Sequence, residues 1–322
     1  MKKVLLIVNP KAHGGLLPQL AEILNIFSQA DYRTEVYITQ AAGDAALQVP
    51  VRALGKDIVV SCGGDGTMNE IVTGLMNMKP EDRPALGLIP AGTTNDLAKS
   101  HNIVGTVLDA AKLVVEDRES WVDIGCINGK KYFEYVAGFG AFTGTSYLVP
   151  SGAKSILGYT AYLVSGAVEL LNLTSKSVRI TTEEESWDDQ IMSALITNAS
   201  QVAGFRDKVA YNVDTNDGQF ELLLIREPKD LVDMDQVLGS LVFVSDNKFV
   251  RRIKTSKVKF EFELPAAWVK DGEYAGDYTE AVVENIHSAI RIIGGPPVHE
   301  VDWVTNAANI YTGLGQNPMP IV

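Results

Sequence analysis

A glycine-rich stretch, Gly63-Gly64-Asp65-Gly66-Thr67, carries the residue types with the clearest chemistry in this chain. Three glycines in four positions permit positive φ angles and the close approach of a polyanion, to which the first amides of a following helix would donate. Phosphate is therefore the expected ligand of this turn. Because a bare carboxylate among these glycines would repel phosphate, Asp65 predicts a Mg²⁺ ion between the two.

The elements on either side of the turn must position it. Residues 58–61 form an apolar run typical of a buried strand, and the apolar residues of 71–75 recur at helical spacing. Thr67 can bind phosphate or cap this helix, whose first turn also contains Asn69 and Glu70. A strand-to-helix turn with an ordinary cap is the alternative interpretation.

The turn, together with Asn69-Glu70 and Gly74, resembles the nucleotide-binding signature of the diacylglycerol kinase catalytic domain. Soluble bacterial lipid kinases, sphingosine kinases and ceramide kinases share this domain. The five-residue core alone also resembles NAD kinases and, more loosely, phosphofructokinases. Residues 89–98, Ile-Pro-Ala-Gly-Thr-Thr-Asn-Asp-Leu-Ala, resemble the second signature of the family and disfavour phosphofructokinases. Parallel sheets bring such loops together at the carboxyl ends of their strands, so both loops can hold one nucleotide.

The resemblance implies an ATP site built from both loops and from the segment after the first strand. Asn9-Pro10-Lys11 resembles the opening of another phosphate loop of the family, although His13-Gly14 replaces its usual Ser-Gly. The implied nucleotide contacts are Asn9, Pro10, Lys11, Thr39, Gly63, Gly64, Asp65, Gly66, Thr67, Asn69, Glu70, Thr93 and Asn95.

The resemblance also implies the groups that act on the acceptor and on metal ions. Asp271-Gly272-Glu273 matches the Asp-Gly-Glu of the family, whose acidic pair supplies the general base, and Asp65 completes the implied catalytic set. Phosphoryl transfer to a neutral hydroxyl needs such a carboxylate near the acceptor oxygen. A second, structural Mg²⁺ is implied near the turn at Asp217-Gly218. Without the resemblance, this Asp-Gly pair is more simply a hairpin turn. The implied metal residues are Asp65, Asp217, Asp214, Gln219 and Asp123.

The order of elements predicts an α/β protein in two parts. Strands and helices alternate through residues 1–124, which predicts a doubly wound parallel nucleotide-binding domain like those of NAD kinases and diacylglycerol kinases. Residues 125–299 predict a β-sandwich-like lipid or substrate domain with a helical insertion at 158–173. The resemblance implies that residues of about 300–322 return to complete the first domain. Strands of the second part are expected at 131–136, 177–182, 191–197, 220–225, 257–263 and 288–293.

Composition narrows the classes of function. The chain has 322 residues, 46% of them hydrophobic, and a net charge of −12 that argues against nucleic-acid binding. Two cysteines are too few for a disulfide framework, so buried free thiols are expected. The first apolar run is shorter than a signal peptide requires, which predicts a cytoplasmic protein.

Residues 247–259 contain six Lys or Arg and form either a solvated strand face or a membrane-facing patch.

These features predict an ATP- and Mg²⁺-dependent lipid kinase that is transiently peripheral to the membrane. Its acceptor is a lipid primary hydroxyl, with diacylglycerol converted to phosphatidic acid as the leading choice. Two alternatives stay open: an NAD kinase-like enzyme with a soluble acceptor, and a nucleotide-binding regulator without turnover. The sequence does not determine the acceptor, nor which of Asp271 and Glu273 is the base. A homodimer through an exposed β edge is a further expectation.

Overall fold

The computed structural model describes residues 1–12, 16–92, 95–103, 105–140, 175–198, 201–202, 205–206, 214–242 and 245–294. Its strands are β1 (Lys3–Val8), β2 (Arg33–Ile38), β3 (Ile58–Gly63), β4 (Ala85–Pro90), β5 (Glu119–Ile127), β6 (Lys131–Phe133), β7 (Val136–Phe139), β8 (Lys176–Thr182), β9 (Ser186–Thr197), β10 (Gln201–Val202), β11 (Phe205–Arg206), β12 (Phe220–Arg226), β13 (Val250–Thr255), β14 (Lys257–Lys270) and β15 (Glu273–Ile293). Its α-helices are α1 (Leu16–Gln29), α2 (Asp44–Arg52), α3 (Asp65–Met76), α4 (Asp96–Ser100), α5 (Val107–Glu116) and α6 (Leu231–Val242). The helical insertion predicted at 158–173 lies outside the described residues.

The first part is a parallel sheet with strand order β2-β1-β3-β4. Strand β1 is buried from Val4 to Val8, as expected of a strand covered on both faces. Helix α1 packs against α5 and α2 against α3. Because crossovers between parallel strands are right-handed, the strand order implies that these two pairs cover opposite faces. This arrangement confirms the predicted doubly wound α/β fold. The carboxyl ends of β1, β3 and β4 meet at one edge, which brings the two glycine turns together.

The two parts of the fold share long strands. The end of β15 joins the first sheet in parallel with β4, pairing Ile292 with Leu86. Strand β5 runs antiparallel to β15 through both parts, and the first hydrophobic core includes its Val122 and Ile124. Residues 300–322, which were expected to return to this domain, lie outside the described residues. The division into 1–124 and 125–299 therefore stays a prediction.

The second part is rich in strands, as predicted, and its long strands change partners along their length. Strand β14 pairs with β8 through its first half and with β7 through its end, and β9 pairs with the same two strands. These pairings close a ring around an aromatic core. Phe139, Phe260 and Trp268 are fully buried there, with ring centroids 5.4–5.7 Å apart.

Helix α6 was not predicted from the sequence, although its signal is present. Met234, Val237 and Leu241 recur at helical spacing and pack into a separate apolar cluster with β12 and β13. Within the described ranges, no helix is both long enough and apolar enough to cross a membrane. Cys62 and Cys126 are buried free thiols, as expected.

Candidate functional site

The first glycine turn joins β3 to α3 at Gly64, and the helix begins at Asp65. The expected positive φ angles are not observed: Gly64 has a φ of −97°, and Gly63 and Gly66 also lie outside the positive-φ region. Close packing requires glycine here instead, since a Cβ on Gly64 would lie 3.1 Å from the Cα of Gly92 in the second turn. The two turns can therefore touch through their backbones and leave their amides at one edge of the sheet.

Asn95 ties the second glycine turn, which follows β4, to the first. It has a φ of +52°, a left-handed conformation that Asn tolerates, and its side-chain amide makes two hydrogen bonds of 2.9 Å with the backbone of Gly92. Its backbone N–H donates to Asp65 Oδ2 at 2.9 Å. Asn95, predicted as a nucleotide contact, is thus placed where it closes the turn and orients Asp65. Thr93 lies outside the described residues.

An open cleft of about 240 Å³ lies beside these turns. Its lining consists of Asn9, Pro10, Lys11, Thr39, Gln40, Ala41, Ala42, Gly66, Thr67 and Glu70. Seven of these residues were predicted as nucleotide contacts, so the fold brings segments from three parts of the chain to one opening. Asn9 Nδ2 donates to Thr67 Oγ1 at 2.9 Å, which connects the loop after β1 to the glycine turn. Gly63, Gly64, Asp65 and Asn95 line a smaller gap.

Glu70 supports the wall of the cleft through both oxygens of its carboxylate. Oε1 accepts from Gly43 N at 2.7 Å, and Oε2 accepts from Ala45 N at 3.1 Å. These amides lie at the start of α2, whose own N-cap residue provides no side-chain hydrogen bond. A carboxylate at this position also interacts favourably with the helix dipole. Glu70 therefore fixes α2 against α3.

The tip of the β14–β15 hairpin forms the opposite side of the site. Asp271 and Gly272 make its two-residue turn with φ angles of +46° and +81°, as in a type I′ turn, and Lys270 pairs with Glu273 to close it. Asp271 is buried. Its Oδ2 accepts from Asn69 Nδ2 at 2.8 Å and Glu134 N at 2.9 Å, and its Oδ1 accepts from the backbone N–H groups of Tyr135 and Val136, both at 3.1 Å. These bonds fasten the hairpin tip to α3 and to the start of β7.

Asn69 is the bridge between the glycine helix and this hairpin. Its buried Nδ2 donates to Asp271 and lies 3.4 Å from Glu134 Oε1, while its Oδ1 accepts from Lys270 Nζ. The residue was predicted as a nucleotide contact, and the fold places it inside a buried polar network. Glu134 and Lys270 were not predicted, because neither belongs to a motif. In the sequence, Glu134 is only a charge within a predicted strand, and Lys270 is only a charge beside Asp271-Gly272-Glu273.

The Glu134 and Asp271 carboxyl groups share one buried environment. Burial raises the pKa of Glu134 well above its usual range, and the charge of Asp271 raises it further. Burial also raises the pKa of Asp271, but backbone N–H donors and the Lys270 charge oppose that shift. A proton on Asp271 would compete with four N–H donors, whereas Glu134 Oε2 has no hydrogen-bond partner among the described residues. Glu134 is therefore the partner that holds a proton, and Asp271 is the ionised one.

Replacing Glu134 with Gln is expected to make stability less dependent on pH. A carboxyl pKa raised by folding gives stability that is fully present below the unfolded pKa, about 4.3, and is lost as the pH rises through the folded pKa. Because glutamine does not ionise, the melting temperature of Glu134→Gln minus that of the parent should increase from pH 5 to pH 9. Thermal melting at several pH values measures this difference. The exposed Glu263→Gln is the control. A melting-temperature difference for Glu134→Gln that does not change with pH would contradict a raised pKa of Glu134.

Glu273, two residues after Asp271, has an exposed side chain. Its Oε1 lies 3.3 Å from the position that a Cβ on Gly66 would occupy. Gly66 belongs to the first turn of α3 and lines the cleft. Of the two acidic residues at the hairpin tip, Glu273 is thus the one whose carboxylate is exposed to solvent beside the glycine turn.

Asp123, predicted as a metal residue, lies where β5 and β15 meet the loop 214–219. It is buried, and it accepts hydrogen bonds from Gly218 N and Ser288 N, both at 2.7 Å. His287 Nδ1 lies 2.9 Å from the same oxygen that Ser288 contacts. The carboxylate therefore holds the junction of these three segments through protein donors on both of its oxygens.

The other residues of the predicted second metal site lie in the loop 214–219. Asp214 Oδ1 accepts from Asn216 N and Asp217 Oδ1 accepts from Gln219 N, each at 3.0 Å. In the part of the chain that the structure describes, no group of three or more His, Cys, Asp or Glu residues is arranged to hold a metal ion. The fold brings this loop to Asp123, but it uses the carboxylates to shape the loop itself.

The basic stretch 247–259 is neutralised by neighbouring carboxylates. Its ion pairs are Lys248–Asp233, Arg251–Glu185, Arg252–Asp246, Lys254–Asp217, Lys257–Glu284 and Lys259–Glu280. Such surface pairs contribute little to stability, but each cancels a local positive charge. The pairing favours a solvated strand face over a membrane-facing patch.

Two glycine turns meet at the carboxyl edge of a doubly wound sheet, and a hairpin bearing carboxylates faces them. This combination defines a two-part α/β kinase.

Comparisons with known proteins agree with this class. The model of the diacylglycerol kinase catalytic domain matches residues 3–127. A diacylglycerol kinase of Bacillus subtilis (strain 168) is 35% identical over 299 residues, which cover 91% of this chain and 96% of the relative. A diacylglycerol kinase of Staphylococcus haemolyticus (strain JCSC1435) is 32% identical over 279 residues, which cover 84% of this chain and 82% of the relative. A crystal structure from Bacillus anthracis str. Sterne, assigned as a diacylglycerol kinase, has a TM-score of 0.77 at 26% identity and covers 92% of this chain and 98% of its own. The chain therefore belongs to the diacylglycerol kinase catalytic-domain family of lipid kinases.

Proposed function

We propose that this protein is an ATP- and Mg²⁺-dependent lipid kinase that phosphorylates a lipid primary hydroxyl, with diacylglycerol converted to phosphatidic acid. The position of Glu273 Oε1, 3.3 Å from where a Cβ on Gly66 would stand, carries the proposal. It puts a candidate general base beside a candidate phosphate turn, within reach of one transferring phosphoryl group. The relatives named diacylglycerol kinases support a lipid acceptor.

The cleft residues would hold the nucleotide. Lys11 and the amides that open α3 would bind its phosphates, and Thr39 would contact it from the end of β2. Asp65 would hold the Mg²⁺ that accompanies ATP, an ion that neutralises charge on the transferring phosphoryl oxygens. The hydrogen bond from Asn95 N to Asp65 Oδ2 would keep this carboxylate in one orientation.

Glu273 would accept the proton of the acceptor hydroxyl as its oxygen attacks the γ-phosphorus. Asp271 would act through position, since its four hydrogen bonds fix the hairpin turn that carries Glu273. Asn69 and Lys270 connect this turn to α3. These contacts would hold the carboxylate of Glu273 at a fixed distance from the phosphate turn during the reaction.

Access to the lipid would require brief contact with a membrane surface. A net charge of −12 and the paired cations of 247–259 give little attraction to anionic headgroups, so the proposal expects transient, peripheral binding. A homodimer through an exposed β edge stays part of the proposal.

Transfer of labelled γ-phosphate from Mg·ATP to lipids in mixed micelles tests the proposed function. Diacylglycerol, monoacylglycerol, ceramide, sphingosine and NAD are offered in parallel. The expected product is labelled phosphatidic acid, which Glu273→Gln should fail to form. Labelled NADP alone would instead indicate the NAD kinase-like alternative. ATP binding without any labelled product would indicate the nucleotide-binding regulator.

A further inference from the structure

A small cavity, of about 10 Å³, is bordered both by Glu134 of the buried network and by Asp123 of the junction between the two parts. Glu134, between β6 and β7, and Asn198, after β9, are each 3% exposed and form part of its wall. Glu134 Oε2 and Asn198 Oδ1 have no hydrogen-bond partner among the described residues. Because a buried polar atom without a partner is costly, each of these two atoms needs one.

Neighbouring side chains fix the hydrogen-bonding role of each oxygen of Glu134. Lys270 Nζ can only donate, and it contacts Asn69 Oδ1, so the opposite atom of that amide, Nδ2, faces Glu134 Oε1 at 3.4 Å. Oε1 therefore lies next to a donor and is an acceptor. The proton that Glu134 holds is then on Oε2, which makes this oxygen a buried donor.

Asn198 has the complementary role. Its Nδ2 donates to the backbone O of Asp123 at 2.7 Å. A carbonyl oxygen only accepts, so the amide of Asn198 cannot be turned round, and its Oδ1 is a buried acceptor. One cavity wall therefore contains a donor on Glu134 and an acceptor on Asn198.

The cavity has the size and polarity of a site for one water molecule. Its volume matches the minimum that a single water occupies, and a buried water needs two to four polar partners. A water can accept from Glu134 Oε2 and donate to Asn198 Oδ1. The other polar residues of the wall are Ser100, His101, Asp123 and Thr215.

We propose that one buried water in this cavity connects the protonated carboxyl of Glu134 to Asn198, and that Glu134 is thereby a positioning residue for Glu273. This Glu134–Asn198 link ties the hairpin turn to the junction of the two parts, because Glu134 N donates to Asp271 and Asn198 Nδ2 donates to Asp123. The effect on Glu273 rests on the proposed kinase function, whereas the link itself does not.

Hydrogen–deuterium exchange of the nucleotide-free protein tests the link without kinase activity. The reporters are the backbone N–H groups of residues 134–136, which Asp271 accepts. Glu134→Leu should make them exchange about tenfold faster, because Asn198 Oδ1 loses its partner. Glu134→Gln should exchange like the parent, since its NH₂ group donates as the protonated acid does. Equal exchange in the two variants would overturn the proposal.

Glu263→Leu is the matched control, because it makes the same substitution at an exposed position of β14. It should exchange like the parent. Asn198→Leu removes the other end of the link and should also speed exchange. The double variant Glu134→Leu/Asn198→Leu should exchange no faster than Asn198→Leu alone, because two apolar side chains leave neither end of the link unpartnered. Effects of the two substitutions that multiply would reject the link.

A crystal structure of the parent protein decides if the leucine variants do not fold. One water within hydrogen-bond distance of both Glu134 Oε2 and Asn198 Oδ1 is expected. A cavity in which no water contacts both atoms would contradict the proposal.

Steady-state kinetics test the positioning role. In the lipid kinase assay, Glu134→Leu should lower kcat about tenfold at an unchanged KM for ATP, because Glu273 loses its fixed position. Glu134→Gln should restore most of this loss. Faster exchange in Glu134→Leu with the kcat of the parent would reject the positioning role. A parent that phosphorylates no lipid would reject the proposed function, and the exchange measurements would still decide the link.

Discussion

Replacing Glu273 with Gln is expected to lower kcat about 1,000-fold, because a positioned general base contributes roughly 10²- to 10⁴-fold to a rate. Glutamine keeps the size of the side chain but does not accept a proton at neutral pH. Since Glu273 is exposed, the variant should fold with the stability of the parent. The KM for ATP should stay nearly unchanged. Steady-state kinetics with diacylglycerol in mixed micelles, at saturating Mg·ATP, measure the change.

Glu280→Gln is the matched control for this variant. Glu280 is a second exposed carboxylate on β15, and it pairs with Lys259 at 3.0 Å on the surface of the hairpin. The control should keep the kcat of the parent. A Glu273→Gln enzyme with parental kcat would move the general base elsewhere, and a raised KM for ATP at unchanged kcat would make Glu273 a nucleotide ligand.

Replacing Asp271 with Asn is expected to lower the free energy of unfolding by about 3 kcal/mol, and to lower kcat as a consequence. Asp271 accepts four N–H donors on its two carboxylate oxygens. The Asn side chain has one oxygen and one NH₂ group, so two buried donors lose their acceptor in either orientation. Each such loss costs about 1–3 kcal/mol. Urea unfolding of the nucleotide-free protein measures the change.

Asp277→Asn, an exposed change on the same hairpin, controls for the loss of one negative charge. The two hairpin variants then separate the roles of the two acids. Glu273→Gln should lose activity at full stability, whereas Asp271→Asn should lose both. If Asp271→Asn unfolds like the parent and loses more activity than Glu273→Gln, then Asp271 is the base and the proposed assignment is reversed.

Local pattern was sufficient to predict the strand-turn-helix units of the nucleotide-binding part. The glycine turn at 63–67 follows a buried strand and opens a helix, and these features lie within about twenty consecutive residues. The second part was harder to predict because its strands bend. A strand was expected at 257–263 only, and Pro265 interrupts the local pattern just beyond it. A bulge between Glu261 and Ala266 carries the strand past this point to Lys270.

The sequence by itself determined the family, the α/β class and the segments that form the site, because motifs and periodicity are local properties of the chain. Only the tertiary structure decided what surrounds each charged group. Asp271 and Glu273 are equivalent acids in the sequence, yet the fold buries the first against Asn69, 202 positions away, and exposes the second beside Gly66. Burial and hydrogen-bond partners arise from contacts between distant residues, and these contacts exist only once the chain has folded.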